Sequence, residues 1–359
     1  MTLEAQARAF AEGLQRSAIR VDPVARLEEL GRRRRRRRVA RAATALATAA
    51  AVALVAWIGV RGSERVAPIV NPPPGSLGRV AATTPVGAGP VDVLVGPDAV
   101  WVANAAQGTV SRVDPASNTV TRTIPVGRNP VRLAAGFGSI WVANQTSQTV
   151  SRIDARTGQP QATIPVTGHI SANDLAVGED TIWVRSGNRL LALDPATNTM
   201  ADRTSDWEVG GAGIAVVDKL LWLSGNTRSG AGQIVRVNPA TSRVIDRFTT
   251  AGSGALAVGG GSVWQAGITT QTIYRYDPSS KRLLAQIPLG VVAKHLTAED
   301  GLLWVSSDSG RVTRIDMATN TATGTFQVGG RAPAVAVGHG SVWILDTANA
   351  ALLRVQTTG

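Results

Sequence analysis

Short runs of apolar residues separated by turn residues recur along most of this chain with a period of about 40 residues. Each period is centred on one tryptophan, and successive tryptophans lie 39 to 42 residues apart. They are Trp101, Trp141, Trp183, Trp222, Trp264, Trp304 and Trp343. Four short strands in such a period are typical of a β-propeller blade. The pattern predicts an all-β fold, a seven-bladed β-propeller over residues 79–359.

The second repeat shows the four predicted strands as VRLAAG, SIWVAN, TVSRID and QATIPV. In all seven repeats the residue before the tryptophan is apolar, and the residue after it is apolar except at Gln265. A strand that is apolar on both faces does not suit a sheet with one face in water. Blades stacked around an axis bury both faces, so the pattern favours a propeller over a sandwich.

The two ends of the repeat array complement each other. The seventh repeat ends after its third strand, and residues 78–87 resemble the fourth strand of the first repeat, residues 119–127. We therefore expect the N-terminal strand to complete the last blade, which leaves no open sheet edge in the ring.

Six turns between the third and fourth strands begin with Asp or Asn. They start at Asp114, Asp154, Asp194, Asn238, Asp277 and Asp316. A side-chain oxygen at that position accepts hydrogen bonds from backbone amides of the same turn. We expect turn formation rather than calcium binding, because the same residue type recurs at the same turn position.

The N-terminal part of the chain has a different pattern. Ala42–Val60 is a run of 19 residues without a charge, and the seven arginines Arg32–Arg38 precede it. A helix of this length spans about one hydrocarbon core, and a basic flank marks its cytoplasmic side. The sequence predicts a single transmembrane helix (42–60) that acts as an uncleaved signal anchor. The cytoplasmic basic segment is 1–41 and a Pro-rich linker is 61–78.

Charge and composition support this division. The net charge is +12, yet residues 1–61 hold 13 Arg against 5 acidic residues. Because the positive charge is concentrated beside the predicted span, we expect Arg32–Arg38 to contact membrane lipid and expect no nucleic-acid partner. The expected location is the cell membrane, with the N-terminus in the cytoplasm and a monomeric propeller outside. The chain contains no cysteine, so disulfides and thiolate metal sites are excluded.

The elements SxWVAN, TVSRxD, DPATNT and TIPVG resemble the YVTN-type repeats of YncE-like β-propeller proteins. The resemblance covers residues 79–359 and implies the fold more than an activity. The streptogramin (virginiamycin B) lyase propellers are similar at a greater distance. That family carries an aromatic residue, Thr and Glu after the tryptophan, whereas this chain carries Val-Ala-Asn or a similar sequence. No catalytic residue is transferred.

One position in each repeat is expected to line the central channel. Nine residues before the tryptophans lie Asp92, Arg132, Asp174, Gly213, Ala255, His295 and Ala334. We call this set the axial ring; its polar members, together with His169 in a loop of blade three, form the candidate ligand-binding site. An alternative is an ion-paired arc, Asp92–Arg132–Asp174, that serves structure alone. His295 is expected across the channel from that arc, beside the small residues of the ring.

These features favour a non-enzymatic, membrane-anchored module that binds a protein, peptide or envelope glycan at the channel mouth. One alternative is a lyase or hydrolase that uses His295 with Asp92 or Asp174 in a metal-assisted reaction. Another is a signalling protein whose segment 1–41 binds a cytoplasmic regulator. No cofactor or metal is expected, since His339 lies in a turn on the opposite face from His169 and His295.

Overall fold

The computed structural model describes residues 75–166, 175–186, 189–203 and 210–357, which belong to one compact unit, residues 66–359. Two strands precede the first blade: β1 (Gly75–Ser76) and β2 (Gly78–Pro85). Blade one contains β3 (Pro90–Val95), β4 (Val100–Asn104), β5 (Thr109–Asp114) and β6 (Thr119–Pro125). Blade two contains β7 (Pro130–Gly136), β8 (Ser139–Asn144), β9 (Thr149–Asp154) and β10 (Pro160–Pro165). Blade three contains β11 (Leu175–Val177), β12 (Ile182–Ser186), β13 (Arg189–Leu193) and β14 (Met200–Asp202).

The remaining blades follow the same order. Blade four contains β15 (Gly210–Val217), β16 (Leu220–Asn226), β17 (Gly232–Asn238) and β18 (Arg243–Thr250). Blade five contains β19 (Leu256–Gly259), β20 (Ser262–Gly267), β21 (Thr272–Tyr276) and β22 (Leu283–Pro288). Blade six contains β23 (Ala293–Glu299), β24 (Leu302–Ser307), β25 (Arg311–Asp316) and β26 (Thr321–Gln327). Blade seven contains β27 (Val335–Gly338), β28 (Ser341–Asp346) and β29 (Ala351–Thr357), to which β2 is added. The predicted all-β, seven-bladed propeller is confirmed.

The second strand of each blade is buried because both of its faces pack against neighbouring blades. Trp101 of blade one packs with Leu133 and Val142 of blade two. Val100 and Val102, on either side of that tryptophan, pack with Trp343 of blade seven. The tryptophan side chain thus faces the next blade, whereas the residues before and after it face the preceding blade. This alternation explains why the repeats are apolar on both sides of the tryptophan.

The innermost strands close a complete ring. Each innermost strand contacts the innermost strand of the next blade, in the order β3, β7, β11, β15, β19, β23 and β27. The last of them, β27, contacts β3. Within blade seven, β2 pairs antiparallel with β29, and Thr84 lies opposite Leu352. The predicted closure of the last blade by the N-terminal strand is therefore confirmed.

The sequence did not predict that the residues before β2 also contact blade six. β1 pairs in parallel with β26, on the outer edge of blade six. Leu77, between β1 and β2, is completely buried with Trp304 of blade six and Val335 of blade seven. Residues 75–78, assigned from sequence to the linker, therefore pair with or pack against the ring.

The predicted turns after the third strands are formed by side-chain hydrogen bonds. Asp114 Oδ1 accepts from the Ala116 amide at 2.8 Å, and Asp316 Oδ1 accepts from the Thr319 amide at 2.8 Å. Bonds from the Ser279 and Ser280 side chains and the Ser280 amide lower the pKa of Asp277 to about 2. The fifth residue of each turn has a positive φ, which Asn and Gly tolerate. These residues are Asn118, Gly158, Asn198, Ser242, Lys281 and Asn320.

The predicted cytoplasmic segment 1–41 and transmembrane helix 42–60 lie outside the described residues. Among the residues that are described, no helix is long and apolar enough to span a membrane. The membrane anchor therefore stays a prediction from sequence.

Candidate functional site

The polar residues of the axial ring are presented by irregularities at the start of the innermost strands. The pairing register shifts between Pro90 and Asp92, between Pro130 and Arg132, and between Ala293 and His295. A β-bulge bends its strand and changes the direction of a side chain. The same end of each blade holds the turn between the second and third strands, and we call it the mouth face. The other end, with the turns before the second and fourth strands, is the opposite face.

Asp92 is buried at the centre of this arrangement, with 3% of its surface exposed. Its Oδ1 lies 3.3 Å from Arg132 Nη1, and its Oδ2 accepts a 2.7 Å hydrogen bond from the Leu133 amide. Both partners belong to blade two, so Asp92 ties blade one to its neighbour. The bond to the guanidinium is charge-assisted and therefore stronger than one between neutral groups.

His295 approaches the same carboxylate from blade six. Its Nε2 lies 3.9 Å from Asp92 Oδ1, and 18% of the side chain is exposed. The expectation that His295 faces the charged arc from across the channel was wrong. Blade seven, which separates blades six and one, carries only Ala334 at the ring position, so no side chain holds Asp92 and His295 apart.

The protonation state of His295 follows from these surroundings. Burial and, to a smaller extent, the nearby positive charge of Arg132 together lower its pKa from 6.5 to about 4, against the opposing effect of Asp92. The imidazole is therefore neutral at pH 7 and offers one donor and one acceptor.

Arg132 and His295 line a cavity of about 190 Å³ at the mouth of the channel. Gly213 and Ala255 form part of its wall, as expected from their small size. The next residue of each innermost strand forms an apolar layer below the ring. Leu133, Leu175, Ile214, Leu256 and Leu296 contribute that layer to the cavity. The cavity thus combines one cation and one neutral imidazole above a layer of mostly buried apolar side chains, and most of its accessible surface is polar.

Two of the predicted site residues, Asp174 and His169, lie outside the described residues. The structure consequently brings together Asp92, Arg132 and His295 of the five candidates. Within the described part of the chain, no group of three His, Cys, Asp or Glu side chains could hold a metal ion.

Arg185 is a buried charge near the ring that the sequence analysis missed. It lies on β12, is completely buried, and its Nη1 donates to the carbonyls of Gly213 at 3.1 Å and Ser224 at 2.9 Å. Other blades have Ala, Ser or Leu at this position. A lone arginine among uncharged residues was the available signal.

Comparison with known proteins supports the fold. The family model described as YNCE-like beta-propeller matches residues 65–198, which confirms the resemblance to YncE-like propellers. No curated protein matches the sequence. Hydrazine synthase of Kuenenia stuttgartiensis is similar in structure, with 17% identity and a TM-score of 0.66 over 75% of this chain and 96% of that chain. The computationally designed Ika8 protein is similar with 11% identity and a TM-score of 0.59, over 79% and 99% of the two chains. At these identities the likeness concerns the fold alone.

Proposed function

We propose that this protein is a membrane-anchored, extracytoplasmic binding module that holds its ligand at the mouth face of the propeller. The observation that carries the proposal is the axial cavity between Arg132 and His295. The anchor and the location rest on Arg32–Arg38 and the uncharged run Ala42–Val60, whose order follows the positive-inside rule.

The chemistry of the cavity favours a polar ligand group, because most of the accessible surface of the cavity is polar. The Arg132 guanidinium provides donors for a carboxylate or another acceptor. Because His295 is neutral, it can donate to or accept from an uncharged ligand group. The leucine and isoleucine layer below closes the cavity and exposes little apolar surface to a ligand.

The size of the cavity favours the end or a side group of a larger molecule. Pockets that enclose a whole small molecule measure roughly 300–1,000 Å³, whereas this cavity measures about 190 Å³. A peptide or envelope glycan can insert one group while the rest of it lies across the mouth face. We therefore assign the ligand to this class.

The surroundings of Asp92 favour binding over catalysis. A general base needs a carboxylate oxygen that can reach the substrate. Both oxygens of Asp92 already accept hydrogen bonds from blade two, and the carboxylate is buried. His295 Nε2 is 3.9 Å from Oδ1, which exceeds a hydrogen bond, so the carboxylate does not orient the imidazole as in a catalytic pair.

Photo-crosslinking in living cells tests the proposal on the full-length protein. A photoreactive amino acid replaces Thr146, an exposed turn residue on the mouth face of blade two, or Arg156, an exposed residue on the opposite face of the same blade. We expect a covalent adduct with a peptide or glycan, identified by mass spectrometry, from position 146 and not from position 156. Adducts from position 156 alone would contradict the proposal.

A further inference from the structure

Most blades share an interaction that we call the arginine clamp. Among the described residues, an arginine of the third strand lies over the tryptophan ring of its own blade in five blades, 4.8 to 5.7 Å from the ring centroid. The pairs are Arg112–Trp101, Arg152–Trp141, Arg236–Trp222, Arg275–Trp264 and Arg354–Trp343.

The clamp arginine also bonds to the next blade. In four blades its Nη1 donates, at 2.5 to 3.2 Å, to the carbonyl of the second residue of the following blade's turn. In three of these its Nε donates to a serine at the start of the second strand, at 2.8 to 2.9 Å. In these three blades the guanidinium is thus held between an aromatic ring, a hydroxyl and a carbonyl.

Blade three lacks the arginine of the clamp. Ala192 lies opposite Trp183 in the sheet, in the place that Arg152 occupies opposite Trp141 in blade two. A pocket of about 430 Å³ lies at this point between blades three and four, and Trp183, Ala192 and Pro239 line it. We call it the blade-three pocket. Its volume falls within the range of small-molecule sites.

The other parts of the clamp have counterparts in blades three and four. Thr181 lies at the start of the second strand, where Ser139 bonds Arg152 in blade two, and it lines the pocket. Pro239 takes the turn position of Pro195, whose carbonyl accepts from Arg152. Ser242 takes the position of Asn198, another acceptor from Arg152. Within the described residues, Ser242 Oγ is buried without a hydrogen-bond partner, which is an unfavourable state for a hydroxyl.

The rim of the pocket carries two carboxylates and two cations among the described residues. Glu179 and Asp180 both line the pocket. Of the resident cations, Lys219 pairs with Glu179 at 3.1 Å. Arg203 also lines the pocket, but in the described part of the chain no contact places its guanidinium over the Trp183 ring.

We infer that the blade-three pocket binds a guanidinium group from outside the fold, stacked on Trp183 in place of the missing clamp arginine. A guanidinium is planar, weakly hydrated and rich in donors, so it stacks on indole while bonding to hydroxyls and carbonyls. A lysine-type ammonium lacks the plane and the fork of donors. The pocket lies on the opposite face, so this inference is independent of the proposed axial site.

Calorimetric titration of the full-length protein in detergent tests the inference with defined probes. Agmatine represents a free guanidine compound, and the blocked peptide acetyl-Gly-Gly-Arg-Gly-Gly-amide represents an arginine side chain. Cadaverine and the corresponding lysine peptide are the matched ammonium controls. We expect a guanidinium probe to bind at least about tenfold more tightly than its ammonium control. Tighter binding of agmatine or of the peptide identifies the source.

A substitution that places a larger side chain in the blade-three pocket provides the decisive variant. Ala192→Arg restores the clamp, and we expect it to weaken guanidinium binding by at least about tenfold and to raise Tm. Ala116→Arg, which adds an arginine on an exposed turn of blade one, should change neither. Ala192→Gln is a second, uncharged filling variant in case the arginine variant does not fold. Equal binding of guanidinium and ammonium probes, no binding at millimolar concentrations, or full binding by both filling variants would overturn the inference.

Discussion

Asp92 and the two side chains around it show how neighbouring blades determine the chemistry of a residue. The carboxylate is fixed by Arg132 and by the Leu133 amide of blade two. Arg132 in turn helps to keep His295 of blade six neutral. The polar character of the mouth therefore depends on three blades at once, and a change at one residue should alter the others.

His295 should make stability depend on pH. Its pKa is about 4 in the folded protein against 6.5 without the fold, so the unfolded state binds more protons between these values. The free energy of unfolding is therefore highest above pH 6.5. It decreases as the pH falls towards 4, by at most about 3 kcal/mol. Thermal unfolding from pH 7 to pH 4 should show a smaller decrease in Tm for His295→Gln than for the wild type.

His339→Gln serves as the control, because it alters the other described histidine, on the opposite face. It should retain the pH dependence of the wild type. Parallel curves for His295→Gln and the wild type would show that burial does not keep this imidazole neutral.

For the individual residues of the mouth, the sequence identified which of them form the axial ring but not all of their contacts. The equal spacing from the tryptophans placed Asp92 beside Arg132, one blade apart. The approach of His295 to Asp92 depends on the bulges and on the small Ala334, and periodicity does not report side-chain direction. Arg185 was missed because its hydrogen-bond acceptors are backbone carbonyls of another blade, which the repeat pattern does not indicate.

The strands themselves were predictable because every repeat carries the same pattern. The closing strand β2 was recognised by its likeness to the fourth strand of blade one. β1 has only two residues, Gly75 and Ser76, and carries no apolar alternation, so nothing in the sequence indicated its pairing with blade six. Its position was set by the burial of Leu77 rather than by its own residues.

Deleting residues 79–85 should severely destabilise the propeller. The deletion removes nearly all of β2 and leaves β29 unpaired along its outer edge, and such an edge promotes aggregation. We expect aggregation or a large decrease in Tm, measured by light scattering and thermal unfolding.

Removal of residues 64–74 is the matched control, since it shortens the chain before β1 and leaves Leu77 in place. We expect this variant to unfold at nearly the wild-type temperature. A soluble protein of unchanged Tm that lacks residues 79–85 would refute the role of β2 in closing the ring.

For the whole molecule, the sequence repeats determine the propeller architecture but do not identify the ligand. Seven similar blades predict a ring from sequence alone, whereas the differences between blades produce the sites. Ala192 in place of a clamp arginine and the polar members of the axial ring are such differences. The arrangement of the N-terminal segment relative to a membrane is a further property of the whole chain.

We expect the propeller to lie outside the cytoplasm, because Arg32–Arg38 precede the uncharged run. A reporter enzyme that is active only after export, fused after Gly359, should be active in cells. A reporter that functions only in the cytoplasm, fused at the same position, should be inactive. The reverse result would place the propeller inside and contradict the proposed location.

The central claim is that Arg132 serves ligand binding at the mouth face, in addition to its pairing with Asp92. Arg132→Ala leaves the Leu133 amide bonded to Asp92, so we expect a moderate decrease in Tm. Asp92→Asn combined with Arg132→Ala removes the unpaired charge and should recover part of that decrease.

The most direct measurement is the yield of the adduct formed from position 146, determined in the same cells as the amount of folded protein. We expect that Arg132→Ala abolishes the adduct while folded protein remains, and that the double variant recovers stability without recovering the adduct. An undiminished adduct from a destabilised Arg132→Ala protein would show that Arg132 serves the structure alone.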